Sequence, residues 1–130
     1  MTSGQNNIAD FIPQRPPFVF ISTVEEVNET TARTTFTIEA DCPLVTDGVL
    51  PLAGLMENAA QTCAARSGNT IGYIGAVKQM EVSRFPHIGE TLVTEAKVIQ
   101  EVLNICLMEV NACIGDECIA TTTLKIAVME

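Results

Sequence analysis

The chain has 130 residues, the size of one domain, and its 47% apolar and 18% charged residues are those of a protein that buries a core, which excludes a disordered chain. Sixteen acidic against seven basic residues give a net charge of -9, which argues against nucleic-acid binding and discourages contact with anionic membranes. Residues Met1 to Asn7 are polar and uncharged, with no basic segment leading into an apolar run, so neither a secretory signal nor a membrane span is indicated and a cytoplasmic location is expected.

Taken in order, residues 1–7 read as a loosely packed or disordered N-terminus, and Ile8 to Phe11 as a short helical turn. The segment Ile12-Pro13-Gln14-Arg15-Pro16-Pro17 is an extended lead-in, because a residue preceding proline is pushed out of helical conformation. Phe18 to Val27 is apolar and β-branched, Asn28-Glu29-Thr30 turns the chain, and Ala32 to Ile38 alternates polar and apolar residues, which together predict a hairpin. Asp41 to Leu50 is a loop containing Asp47-Gly48. Pro51 then stands where a helix begins, since its missing N–H would be unpaired there, and Gly68-Asn69 ends that helix at about Ser67. Four strands follow: Tyr73 to Ser83, Thr91 to Leu103, Ile105 to Ile114 and Glu117 to Val128. Asn104 and Gly115-Asp116 supply tight turns that make the last three an antiparallel meander. One helix against a large antiparallel sheet is an α+β layout, a single domain spanning 1–130, in which the sheet curls around the helix.

On a helical wheel Leu52, Leu55, Met56, Ala59, Cys63 and Arg66 share a broad face suited to a sheet. Ala53, Gly54, Ala60, Ala64 and Ala65 are small, so that other elements or a ligand can approach the helix backbone closely. Glu57 and Gln61 lie one turn apart on a flank of the apolar face. A carboxylate there is either solvated and bonded to Gln61, the plainer reading, or partly buried and drawn toward a pKa useful for proton transfer.

The five cysteines, Cys42, Cys63, Cys106, Cys113 and Cys118, form no C-x-x-C pair and have no histidine at zinc-ligand spacing. They read as reduced thiols, mostly in the core, with no metal or redox cofactor implied. Cys63 is the one cysteine placed to be a nucleophile, yet the only histidine, His87, lies in a distant turn between strands. Arg84 and Lys78 are the residues from which a small basic patch for an acidic carrier protein can be assembled; each is equally an ordinary solvated strand residue.

From Ile8 to its end the chain resembles the hotdog-fold 3-hydroxyacyl-acyl-carrier-protein dehydratases. Leu50-Pro51 followed by Glu57-Asn58-Ala59-Ala60-Gln61 falls in register with the family's proline-led helix and its E-x-x-A-Q signature. The lead-in to Phe18 is similar to the family's proline-histidine-arginine entry, and Arg84-Phe85-Pro86-His87-Ile88-Gly89-Glu90-Thr91-Leu92 is similar to its P-x-x-P-G-D-x-L turn. The family's catalytic histidine, in a G-H-F-P loop before the helix, is replaced here by Pro43. The stretch Pro43 to Pro51 instead resembles a divergent dehydratase-like branch associated with aryl polyene pathways.

The resemblance implies a hotdog fold and a thioester substrate presented by acyl carrier protein or coenzyme A. In the family a histidine abstracts the α-proton, the helix glutamate assists departure of the hydroxyl as water, and N–H groups at the helix start polarise the carbonyl. Carried onto this sequence, Glu57 is the acid or base, Gln61 orients it, Leu52 and Ala53 hold the carbonyl, and Ala60 and Ala64 contact the substrate. The two catalytic groups of the family come from opposite subunits, so a homodimer or a heterodimer with a histidine-bearing hotdog paralogue is expected. Thioester hydrolysis using Glu57 alone, and a degenerate acyl-binding or partner subunit, are the competing expectations.

Overall fold

The computed structural model describes residues 8–66 and 72–128. Expectations for residues 1–7, for the helix end at Ser67 and for its stop at Gly68-Asn69 fall outside them.

A short 3-10 turn at Ile8–Asp10 leads into the proline-rich segment. Strands β1 (Thr23–Val27) and β2 (Thr31–Thr37) precede α1 (Leu52–Arg66), the one α-helix among the described residues, and β3 (Gly72–Val82), β4 (Thr91–Val102), β5 (Ile105–Ile114) and β6 (Glu117–Val128) follow it. All neighbours pair antiparallel in one six-stranded sheet of order β1-β2-β4-β5-β6-β3. The predicted meander is thus β4-β5-β6. It is extended on one side by the first hairpin and on the other by β3.

Burial alternates along β2, β4 and β5, so one sheet face meets the helix. The first half of the helix packs through Leu55 into a cluster with Phe20, Phe36, Ile38, Leu50, Leu92 and Ile119. Its second half packs through Ala59 and Cys63 against Ala96, Met108, Val110 and Leu124. A third cluster, Ile12, Ile21, Val24 and Ala65, seats the lead-in on the helix.

Three expectations are corrected in detail. The first strand begins at Thr23 rather than Phe18, because Phe18 and Phe20 bond to side chains of the helix instead of to a neighbouring strand. Leu52 does not join the sheet-facing side; it is 47% exposed, while Asn58, Gln61 and Thr62 are buried, since the lead-in covers a second side of the helix. Pro51 precedes the first helical residue, its carbonyl accepting from the Gly54 and Leu55 N–H groups, which makes it the cap residue.

Asp47-Gly48 is a two-residue hairpin turn. Both residues have positive φ, 54° and 77°, and Thr46 and Val49 exchange both backbone bonds, the geometry that Asp-Gly favours. The turn aims Val49 and Leu50 at the Pro86–Ile88 segment, where Leu50 N–H donates to Pro86 O at 2.8 Å and Val49 bridges His87.

Candidate active site on the central helix

Gln61 is fully buried, and every hydrogen-bonding atom of its side chain group is engaged. Its Oε1 accepts from Phe20 N–H at 2.7 Å; its Nε2 donates to Phe18 O at 3.0 Å and to Glu57 Oε2 at 3.1 Å. A buried amide satisfied in this way is fixed in orientation, because turning it would leave buried groups unpaired. Glu57 is exposed, so its carboxylate projects from the helix while one oxygen is held by a rigid donor.

Asn58, one turn before Gln61 and Thr62, completes this polar seam. Its Nδ2 donates to Phe20 O at 2.8 Å, its Oδ1 accepts from the Thr94 hydroxyl, and Thr62 Oγ1 bonds both Asn58 O and Thr34 Oγ1. The lead-in, the helix, β2 and β4 are thereby joined below Glu57. Sequence reasoning missed Asn58, Thr62, Thr34 and Thr94; the available signal was a polar residue at position 58, between Leu55 and Cys63 on the side turned to the sheet.

The other residues of the predicted site sit as follows. Leu52 and Ala53 are exposed at the helix start, where helix geometry leaves their N–H groups without an intrahelical acceptor; the Gly54 N–H is already given to Pro51 O at 2.9 Å. Ala53, Glu57, Ala60 and Ala64 follow one another at spacings of four, three and four residues, an open stripe along the helix, with Ala60 and Ala64 half-buried. Pro43, where the family's histidine would stand, lines a cleft of about 440 Å³ with Pro16, Pro17, Val19, Phe36 and Cys42.

His87 is less remote than the sequence implied, since its backbone bridges Val49 just ahead of the helix. Its exposed imidazole nevertheless faces Glu90, with Nδ1 3.5 Å from Oε1. Burial, reinforced by Cys106 nearby, pushes the Cys63 thiol up to about 12, which disfavours the thiolate that a nucleophile needs. Arg84 is engaged with two carboxylates, Glu90 at 2.9 Å and Glu117 at 3.1 Å. Lys78 is exposed on β3, apart from that cluster, and lines a groove of about 240 Å³ with Lys125, Val102, Ile105 and Leu107.

A single helix held against a six-stranded antiparallel sheet, with a polar flank left open, defines a hotdog-fold protein. The chain belongs to the ApeP-like family, described as ApeP dehydratase, whose sequence profile matches residues 6–129. Among solved structures it is similar to the dehydratase heterocomplex ApeI:P from Xenorhabdus doucetiae, at 16% identity and a TM-score of 0.88, over 96% of this chain and 92% of that one. It is also similar to the uncharacterized protein PH1136 from Pyrococcus horikoshii, at 15% identity and a TM-score of 0.76, over 93% and 92% of the two chains. A hypothetical thioesterase with coenzyme A from Streptococcus pneumoniae shares 13% identity and a TM-score of 0.70, over 82% and 84%. No curated protein matches the sequence. No helix among the described residues is long and apolar enough to cross a membrane.

Proposed function

We propose that this chain is the glutamate-bearing subunit of a 3-hydroxyacyl thioester dehydratase, completed by a histidine-bearing hotdog partner. The observation that carries the reading is the Glu57 carboxylate, exposed on the helix, fixed by the buried Gln61, and without an imidazole beside it, the chain's one histidine being turned to Glu90.

The chemistry follows from that placement. The N–H groups of Leu52 and Ala53, at the positive end of the helix, receive the thioester carbonyl and stabilise the charge that develops on it. A partner histidine takes the α-proton. Glu57, as the acid, assists departure of the 3-hydroxyl as water, which yields the 2-enoyl thioester. Ala60 and Ala64 leave room along the helix for the acyl portion, presented by acyl carrier protein or coenzyme A. Membership of the dehydratase family supports this reading, as does the similarity to a dehydratase that is itself a heterocomplex.

The partner has a surface to meet. Strand β3 is eleven residues long and forms one edge of the sheet, with Ile74 and Val77 exposed on it, and a long edge with apolar side chains is a template for a second chain. The test is reconstitution: the chain is assayed alone and co-expressed with a hotdog paralogue carrying the G-H-F-P loop, and enoyl product from a 3-hydroxyacyl carrier is followed by mass spectrometry. Conversion by the complex, at least about 100-fold above the isolated chain, is expected. Equal activity of the isolated chain would contradict the partner's role, and no conversion by either would contradict dehydration and leave the hydrolysis and degenerate-subunit readings.

Hydrolysis is the second reading, favoured by the same lack of an imidazole at Glu57, since a lone carboxylate can activate water or attack a thioester. Release of free thiol by the isolated chain would support it in place of dehydration.

A further inference from the structure

Strands β5 and β6 turn at Gly115-Asp116, and their register sets Cys113 opposite Cys118. Opposed residues of an antiparallel pair have Cα atoms about 4.5–5.5 Å apart, with side chains on the same face. That separation lies within the range of about 4.4–6.8 Å that a disulfide spans. The two thiols are unjoined, and the Cys118 thiol donates to Ala120 O at 3.7 Å. A register shift after Ala112 makes Ile119 the extra residue, so the cysteine pair sits on the turn side of a bulge.

Exposure separates this pair from the two core cysteines, Cys42 being half-buried like Cys113. Cys118 is exposed and Cys113 half-buried, whereas Cys63 and Cys106 are buried together in the core. Cys118 also lines an open groove of about 260 Å³ with Glu81, Val82, Ser83, Ala120 and Thr121, through which a small sulfur reagent can approach.

We propose that Cys113 and Cys118 are a redox-active pair that forms a reversible intrachain disulfide by exchange with a low-molecular-weight disulfide. The Cys118 thiolate attacks one sulfur of the reagent; the reagent's S–S bond breaks, one thiolate leaves, and a mixed disulfide forms on Cys118. Cys113, after giving its proton to solvent, attacks Cys118 Sγ and expels the second thiolate. The two cysteines lose two electrons, and the reagent gains them as two thiols.

The order of attack follows from the surroundings. Burial, together with the neighbouring Cys118 thiol, pushes the Cys113 thiol up to about 11, so it resolves rather than initiates. The loop closed is only the hairpin turn, so the bridge adds little stability and a thiol reductant reopens it. It clamps the turn from which Glu117 reaches Arg84, and so acts on the junction between β6 and the 84–90 segment. This inference does not depend on the dehydratase reading.

The test equilibrates the full chain in mixtures of reduced and oxidised glutathione, blocks free thiols, and maps peptides after cleavage at glutamate. Cleavage at Glu109 and Glu117 separates the two cysteines, so a bridge keeps their peptides linked. The expected result is that linkage in oxidising mixtures and its loss in reducing ones. Cys113→Ser is expected to trap glutathione on Cys118, and Cys118→Ser to abolish both species. Both cysteines remaining free to react with the blocking reagent in the most oxidising mixture would overturn the proposal, as would linkage of Cys118 to any cysteine other than Cys113.

Discussion

Gln61 holds three groups at once, and its neighbour Glu57 holds none of the fold. Replacing Gln61 with leucine leaves the buried Phe20 N–H unpaired and releases Phe18 O. A loss of about 2–4 kcal/mol of stability is expected from urea unfolding, each unpaired buried group costing about 1–3 kcal/mol. Glu57→Gln, at an exposed position, is expected to change stability by less than about 0.5 kcal/mol. An equal loss in the two variants would contradict this division between a structural amide and a free carboxylate. At the same scale, bonds from Arg84, then from the His87 N–H, hold the Glu90 carboxyl down at about 2 against an ordinary 4.5. The folded state therefore binds this proton less readily than the unfolded chain. The contribution is present above about pH 4.5 and is lost as the pH falls toward about 2. Glu90→Gln is expected to flatten the decline of the urea midpoint across that window; an unchanged decline would contradict the assignment.

At the scale of elements, the helix depends on how closely Leu50 approaches it. A Cβ placed on Gly54 would meet Leu50 Cδ1 and Cγ, and Leu50 is fully buried. Overpacking costs about 1–3 kcal/mol, more than the roughly 0.5–1 kcal/mol that alanine gains over glycine in a helix. Gly54→Ala is therefore expected to destabilise by about 1 kcal/mol, and to become neutral or favourable when Leu50 is also alanine, as a double-mutant cycle would show. A stabilising Gly54→Ala in the native background would contradict it. The strands were legible from alternation and the turns from Asn104 and Gly115-Asp116, because both are local signals; Asp47-Gly48 was read only as part of a loop. Phe18 to Phe20 has strand composition but is not strand, since the Phe18 and Phe20 carbonyls and the Phe20 N–H pair with the side chains of Asn58 and Gln61, about forty residues away. Burial of Asn58 and Thr62 was hidden for the same reason: their partners, Thr94 and Thr34, come from strands whose place in the sheet is not written in the helix.

For the whole molecule, the order β1-β2-β4-β5-β6-β3 leaves two edges, and they differ. Strand β1 is five residues long, whereas β3 is eleven. Sequence pattern foretold the meander but not the pairing of β3 with β6 or of β2 with β4, because those contacts join segments separated by β4 and β5 in the first case and by the helix and β3 in the second. Glu57 and its small-residue stripe were legible from the motif. What the motif left open is what faces Glu57, and the single chain brings no imidazole to it. Ile74→Lys, on the β3 edge, is expected to weaken co-purification with the histidine-bearing chain while leaving the isolated fold intact; undiminished association would remove β3 as the docking edge.

The most direct test is single-turnover dehydration of a 3-hydroxyacyl carrier by the reconstituted pair carrying Glu57→Gln. The expected result is a rate lower by about 100-fold or more with assembly and unfolding midpoint unchanged. An unchanged rate would contradict Glu57 as the acid that releases water.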